Sequence, residues 1–198
     1  MEFQAVVERR RMVRNYATDP VDPAVIERIL SNALHAPSAG FSQGWGFLLL
    51  DRPDDVDRFW TCTTTPGELP DNWLVGMRRA PVIIVALSCK EVYLERYAEA
   101  DKGWTDRDES HWPVPYWDID TGMAALLMLQ TATDEGLGAC FFGVPRDYWN
   151  GFRAEFGVPA AYTPIGALTI GRRLPDRKSP SLKRGRKPVD DVVHRSHW

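Results

Sequence analysis

Six residues in a row, Val82-Ile83-Ile84-Val85-Ala86-Leu87, are apolar on both faces of a two-residue repeat, and four of them are β-branched. Such a run predicts a strand inside a sheet that is covered on both sides. Everything else in the chain must then supply either neighbouring strands or the covering layers. Trp45 to Asp51, Ala139 to Phe142 and Pro164 to Ile170 read as further short buried strands. Between them lie segments of helical period. Asp22-Pro23 is a good helix start, and Val25, Ile26, Ile29, Leu30, Ala33 and Leu34 share one face, so 23–35 is expected to be an amphipathic helix. Pro37 ends it. Shorter helices are expected over 2–11, from Pro53 to Cys62, over 71–79, from Glu91 to Ala100 and from Pro145 to Phe156. Met123 to Leu129 is apolar all round, which predicts a central, buried helix capped by Asp118 or Asp120 and ended by Gly136. Helices alternating with buried strands give a three-layer α/β arrangement.

With 198 residues the chain is expected to form one domain, 1–198, with a basic, proline- and glycine-rich arm over 171–198. A net charge of −3 argues against a dedicated nucleic-acid binder. Cys62, Cys89 and Cys140 are odd in number and have no metal-ligand spacing, so free thiols are expected. The charged N-terminus shows no signal peptide, and the uncharged run from Thr121 to Thr133 is too short to span a bilayer. A soluble, cytoplasmic protein without a metal site is the expectation.

Three stretches could carry chemistry. Arg9-Arg10-Arg11-Met12-Val13-Arg14 is either a solvated basic helix end or a phosphate clamp, since guanidinium groups fork onto phosphate oxygens. The basic stretch Lys183 to Lys187 has the same two readings. Ala36 to Gly46 is either a plain connection or a platform of backbone N–H groups with one amide, Gln43, suited to the edge of a planar ligand that alternates carbonyls and N–H. Gly136 to Pro145 lacks the GxGxxG spacing of a dinucleotide fold. No GxSxG or paired nucleophile is present. The segment 101–117, with Trp104, His111, Trp112, Tyr116 and Trp117, reads as an ordered loop or lid. Its aromatics either wall a pocket or cap the core.

Taken in order, these stretches resemble the nitroreductase family of FMN-dependent oxidoreductases. The family opens on an Arg-Arg-Ser-x-Arg-x-Tyr-like motif, here Arg10 to Tyr16. It continues with an Ala-Pro-Ser-x-x-Asn-x-Gln-Pro-Trp loop, here Ala36 to Trp45, and a Gly-Leu-Gly-x-Cys-x-x-Gly strand, here Gly136 to Gly143. It closes on an Ile-Gly strand end and a basic arm, here Ile170-Gly171 and Arg184 to Pro188. The resemblance implies a central, mixed but mainly antiparallel sheet flanked by helices. It implies a homodimer with FMN at the subunit interface and an arm reaching the partner subunit.

By that analogy Arg10, Arg11, Met12 and Arg14, with Arg184 and Arg186, hold the FMN phosphate and ribityl chain. Pro37, Ser38, Ala39, Gly40 and Gln43 meet the ring. Backbone at Phe142, Gly143 and Val144 approaches it near N5. Phe41, Trp112, Tyr116 and Trp117 are candidates for the acceptor pocket. The implied reaction takes hydride from NAD(P)H onto the flavin and passes electrons to a flat, electron-poor acceptor by ping-pong alternation, with no side-chain acid or base required. Three positions depart from the pattern: Met12 for serine removes a phosphate donor, Phe41 for asparagine removes an amide, and Gly44 for proline loosens the loop. A flavin-binding protein without turnover, or a variant using a deazaflavin coenzyme, therefore stay open as alternatives.

Overall fold

Seven helices and four strands are seen in the computed structural model, which describes residues 1–65, 67, 71–176 and 179–198. Pro66, between the helices expected from Pro53 to Cys62 and over 71–79, lies outside the described residues. The strands β1 (Trp45–Leu50), β2 (Val82–Cys89), β3 (Gly138–Phe142) and β4 (Tyr162–Gly171) form one sheet in the order β1-β2-β4-β3. All three pairings are antiparallel. Parallel pairing is limited, among the described residues, to a bridge between Met12 and Ala139. β2 therefore sits inside the sheet, and all eight of its residues are buried.

Alternation along the strands divides the apolar interior in two. Ile83, Val85 and Leu87 face a layer formed by α3 (Pro53–Thr63), α4 (Asn72–Met77) and α7 (Trp149–Phe156), through Val56, Phe59, Trp60, Met77 and Phe152. Val82, Ile84 and Ala86 face α2 (Pro23–Ala33) and α6 (Tyr116–Asp134), through Ile26, Ile29, Ala33, Ala124, Met128 and Ala132. The expected three layers are present. Asp22 caps α2 by accepting from Ala24 N at 2.9 Å, and proline follows at the first helical position. The short helices α1 (Phe3–Arg9) and α5 (Lys90–Tyr97) complete the set. No helix among the described residues is long and apolar enough to cross a membrane.

Two expectations about α6 need correction. It is not capped by Asp118 or Asp120. It starts two residues before Asp118, after Pro115, and both carboxylates are spent on distant partners instead. Nor is it buried all round. Ile119, Met123 and Leu126 are 39%, 40% and 46% exposed. Their spacing of four and three places them along one stripe of the helix. The all-round apolar sequence thus covers the sheet on one side and leaves a greasy stripe facing outward.

The arm leaves β4 and first doubles onto the N-terminal segment. Tyr16 bridges Arg173, Leu174 N donates to Asn15 O at 3.0 Å, and the Asn15 amide donates to Pro175 O at 2.8 Å. Residues 177–178 lie outside the described residues. Short 3-10 turns follow at Pro180–Arg184 and Val189–Asp191, and the residues from Pro180 to Trp198 are exposed.

Candidate functional site

The arginine segment is an extended strand-like run, because α1 stops at Arg9 and the chain turns extended at Arg10. Val13 N donates to Ala139 O at 3.0 Å, and Phe141 N points at Met12 Sδ at 3.4 Å, so the segment follows β3. Tyr16 pins its far end. This side chain is fully buried, and its hydroxyl meets Val13 O at 2.5 Å and Thr169 Oγ1 at 3.0 Å. Burial holds the phenol neutral by raising its pKa well above the ordinary value. On the other side Gly76 of α4 lies so near that a Cβ there would be 2.0 Å from Arg14 O. Only glycine permits this approach.

The three arginines differ in what they hold. Arg11 Nη1 donates to Arg10 O at 2.8 Å, and Arg14 Nη1 donates to Met12 O at 3.1 Å. Arg10 Nη1 is buried and has no hydrogen-bond partner. A buried guanidinium N–H without an acceptor is costly, and a phosphate oxygen is an acceptor of the right charge. A cavity of about 530 Å³ opens beside Arg11, Met12, Arg14, Arg173, Ser179 and Leu182. Asp176 enters the same cavity and accepts from Arg14 N at 2.7 Å. Arg184 and Arg186 stand exposed just beyond Leu182 in the arm.

The loop after α2 is the second half of the candidate site. It makes a 3-10 turn at Ala39–Phe41 in which Gly40, Phe41 and, one residue later, Gln43 have φ of 60°, 55° and 53°. Two non-glycine residues in the left-handed region within three positions is a strained arrangement. Internal bonds hold part of it: Gln43 N donates to Ser38 Oγ at 3.0 Å, and Ser42 Oγ donates to Ala39 O at 2.6 Å. The remainder comes from other elements. Asp120, 3% exposed, accepts from Ala39 N and from Tyr93 OH, both at 2.8 Å. Burial first, and then this hydrogen bond, keep Tyr93 neutral by raising its pKa. Arg96 Nε donates to Gly40 O at 3.0 Å. Phe41 projects outward at 75% exposure, and Gln43 is exposed. Asp118, two residues before Asp120 on α6, accepts from Ser88 Oγ at 2.6 Å. Sequence reasoning missed Tyr93, Arg96 and Asp120. Only the aspartate gave a signal, and the sequence read it as a helix cap.

The aromatic segment stacks around Trp112. Its ring lies 4.5 Å from Tyr97, 5.5 Å from Trp104, 5.7 Å from Tyr116 and 6.0 Å from Trp117. Trp117 is 8% exposed and sits edge-on to Tyr93. Trp112 and Trp117 thus behave as a cap on the core, while Tyr116 and Phe41 keep open faces. His111 reaches Asp106 at 2.9 Å and lies 4.8 Å from Trp104. At the other candidate strand end, Phe142 pairs with Ala167 and stacks on Trp60 at 5.5 Å, nearly parallel. Gly143 is exposed, and buried Val144 accepts at its carbonyl from Trp149 Nε1 at 2.9 Å.

The two halves lie at opposite ends of α6. Asp120, near its start, touches the loop. Asp134, at its end, pairs with the N-terminal ammonium, and the arginine run follows the strand that comes next. From 120 to 134 the helix axis advances roughly 21 Å at 1.5 Å per residue. The points at which α6 holds the loop and the N-terminal segment are thus separated by most of the length of the helix.

A model described as the Nitroreductase family matches residues 7–172. A 5,6-dimethylbenzimidazole synthase of Rhodospirillum rubrum is 35% identical over 195 residues, covering 92% of this chain and 87% of its own. A protein of Methanothermobacter thermautotrophicus, provisionally named an NADH dehydrogenase/NAD(P)H nitroreductase, is 25% identical over 174 residues, covering 86% and 77%. Among solved structures, a nitroreductase-named protein of Desulfovibrio desulfuricans in complex with FMN aligns with a TM-score of 0.73 at 20% identity. That alignment covers 100% of this chain and 98% of the other.

Proposed function

Because the chain belongs to the nitroreductase family, we propose that it is an FMN-dependent oxidoreductase whose sites are each built from two copies of the chain. The single observation that carries this is the separation along α6 combined with the exposed stripe Ile119, Met123 and Leu126. Two copies pairing this stripe in antiparallel fashion bury it and bring the loop of one to the arginines of the other. The fit to FMN rests on the cavity lined by Arg11 and Arg14, and on Arg10, next to Arg11 in sequence, whose buried Nη1 has no hydrogen-bond partner.

In this reading Arg10, Arg11 and Arg14 hold the phosphate, joined by Arg184 and Arg186 of the arm. Met12 adds no donor there. Pro37 to Gly40 and Gln43 of the second copy meet the ring edge. Ser38 Oγ already accepts from Gln43 N, so its own O–H is free to donate to a ring carbonyl. Backbone at Phe142 to Val144 closes the other side. Phe41 and Tyr116 offer flat surfaces for a planar, electron-poor acceptor of nitroaromatic, quinone or enone type. When bound, FMN supplies the hydride chemistry, with NAD(P)H as donor and the acceptor following it at the same face in a ping-pong sequence. The name of the Methanothermobacter relative supports the nicotinamide donor.

The visible absorption spectrum of the purified protein, with heat-released cofactor identified by chromatography, tests the reading. A flavin spectrum that bleaches with NADH or NADPH and recovers with acceptor supports it. Flavin without bleaching makes this a flavin-binding protein without turnover. A colourless protein that takes up no FMN refutes the assignment and leaves the deazaflavin coenzyme to be tried. Arg14→Ala is expected to weaken FMN retention, by about tenfold for one lost charged hydrogen bond; unchanged retention refutes the clamp. The Rhodospirillum relative favours a second reading, formation of 5,6-dimethylbenzimidazole, for which the test is a product co-chromatographing with that compound.

A further inference from the structure

Resting on the FMN reading, we propose that Arg96 and Asp120 are positioning residues that hold the ring-contacting loop in shape and join it to the aromatic segment. The loop does not hold itself. Phe41 and Gln43 each carry a left-handed backbone, a conformation that side chains other than glycine rarely adopt. A three-residue 3-10 turn cannot offset that alone.

Two side chains from elsewhere in the fold grip the peptide groups on either side of the Ala39–Gly40 peptide. Asp120 Oδ2 takes the N–H of Ala39, and Arg96 Nε gives a hydrogen bond to the carbonyl of Gly40. Both grips are themselves fixed. Tyr93, fully buried, donates to the same Asp120 oxygen. Arg96 forks onto Asp101 through Nη1 at 2.7 Å and Nη2 at 2.8 Å. Arg96 thus uses Nε and both terminal nitrogens at once, which a lysine cannot imitate.

The Tyr97 ring completes the seat, lying so close under Gly40 that a Cβ there would be 2.6 Å away. Asp101 opens the segment that leads to Trp104 and Trp112, and both of those rings pack against Tyr97, Trp104 tilted and Trp112 edge-on. A carboxylate buried in an apolar helix is costly unless it is used. Here its use is to set where Ser38 and Gln43 stand. The arginine clamp would fix the phosphate, and these two residues fix what meets the ring.

The test compares wild type with Asp120→Ala, Arg96→Lys and Asp101→Asn. One measurement is amide hydrogen exchange over 38–43, with 82–89 as the control for folding. The other is the Kd of FMN and of riboflavin, which lacks the phosphate. Exchange at 38–43 should rise about tenfold in all three, with 82–89 unchanged. Both flavins should weaken by similar factors, so their ratio is preserved, whereas Arg14→Ala should lower FMN binding selectively. Exchange and both Kd values unchanged in the variants would overturn the proposal. If Asp120→Ala fails to fold, Arg96→Lys and Asp101→Asn, changes at partly and fully exposed positions, decide it. If wild type binds neither flavin, the FMN reading falls separately. Exchange at 38–43 then still decides whether these residues hold the loop.

Discussion

Gly76→Ala and Gly151→Ala make the same chemical change in two helices, and the structure assigns them opposite signs. At Gly76 the added Cβ would stand 2.0 Å from Arg14 O, and ordinary contact begins near 3.4 Å, so two backbones must separate by about 1.4 Å. Neither side is a flexible side chain. Overpacking of this kind costs roughly 1–3 kcal/mol, and a backbone clash belongs at the upper end. Replacing glycine in a helix returns about 1 kcal/mol. The net is a loss of about 2 kcal/mol, or about 4–8 °C in Tm for a chain of this size. At Gly151 the nearest atom is Cys62 O at 3.9 Å, so only the helix gain remains, and Tm should hold or rise by about 2–4 °C. Displacing Arg14 also disturbs its bonds to Asp176 and Met12 O, so Gly76→Ala should weaken FMN binding as well. Calorimetry of the two variants, without and with excess FMN, measures both effects. A Gly76→Ala protein as stable as Gly151→Ala would refute the close approach and with it the seating of the arginine run.

Alkaline pH should unfold the protein through its buried neutral acids. Burial pushes the Cys140 thiol up to about 11 and raises Tyr16 and Tyr93. A folded pKa above the unfolded one gives stability that is complete below the unfolded value and lost as pH rises through the folded one. The urea midpoint should therefore hold up to about pH 9 and fall steadily between about 9 and 11; a midpoint that rises there contradicts the burial argument. Leu126→Glu, on the open stripe of α6, should give a monomer by sedimentation and lose FMN while keeping its secondary structure. A Leu126→Glu dimer with bound FMN would place the interface elsewhere.

The layers were legible because β2 states them in its own residues: eight buried positions leave no face for water. The start of α2 was legible for a local reason too, an aspartate–proline pair followed directly by apolar residues at helical spacing. What stayed hidden lies in contacts of long sequence separation. Asp120 has partners 81 and 27 residues away, and an aspartate near a helix start looks like a cap when those partners are out of sight. The outward stripe of α6 was hidden too, since leucine and methionine carry the same hydrophobicity whether they face a sheet or a second molecule. Left-handed backbone at Phe41 and Gln43 leaves no trace in residue type, because side chains from two other helices impose it. Arg96 looked like any surface cation.

The length of α6 has a genetic consequence. If each site takes its arginines from one chain and its loop from another, a defect in either half is not confined to its own molecule. A chain carrying Arg14→Ala and a chain carrying Gln43→Ala are each impaired at both sites when alone. Mixed and allowed to exchange subunits, they form hybrids in which one site collects both defects and the other collects none. With random reassortment on the order of a quarter of the sites become whole again. Two impaired alleles of this gene would then complement each other, and two alleles damaged at the same end of α6 would not.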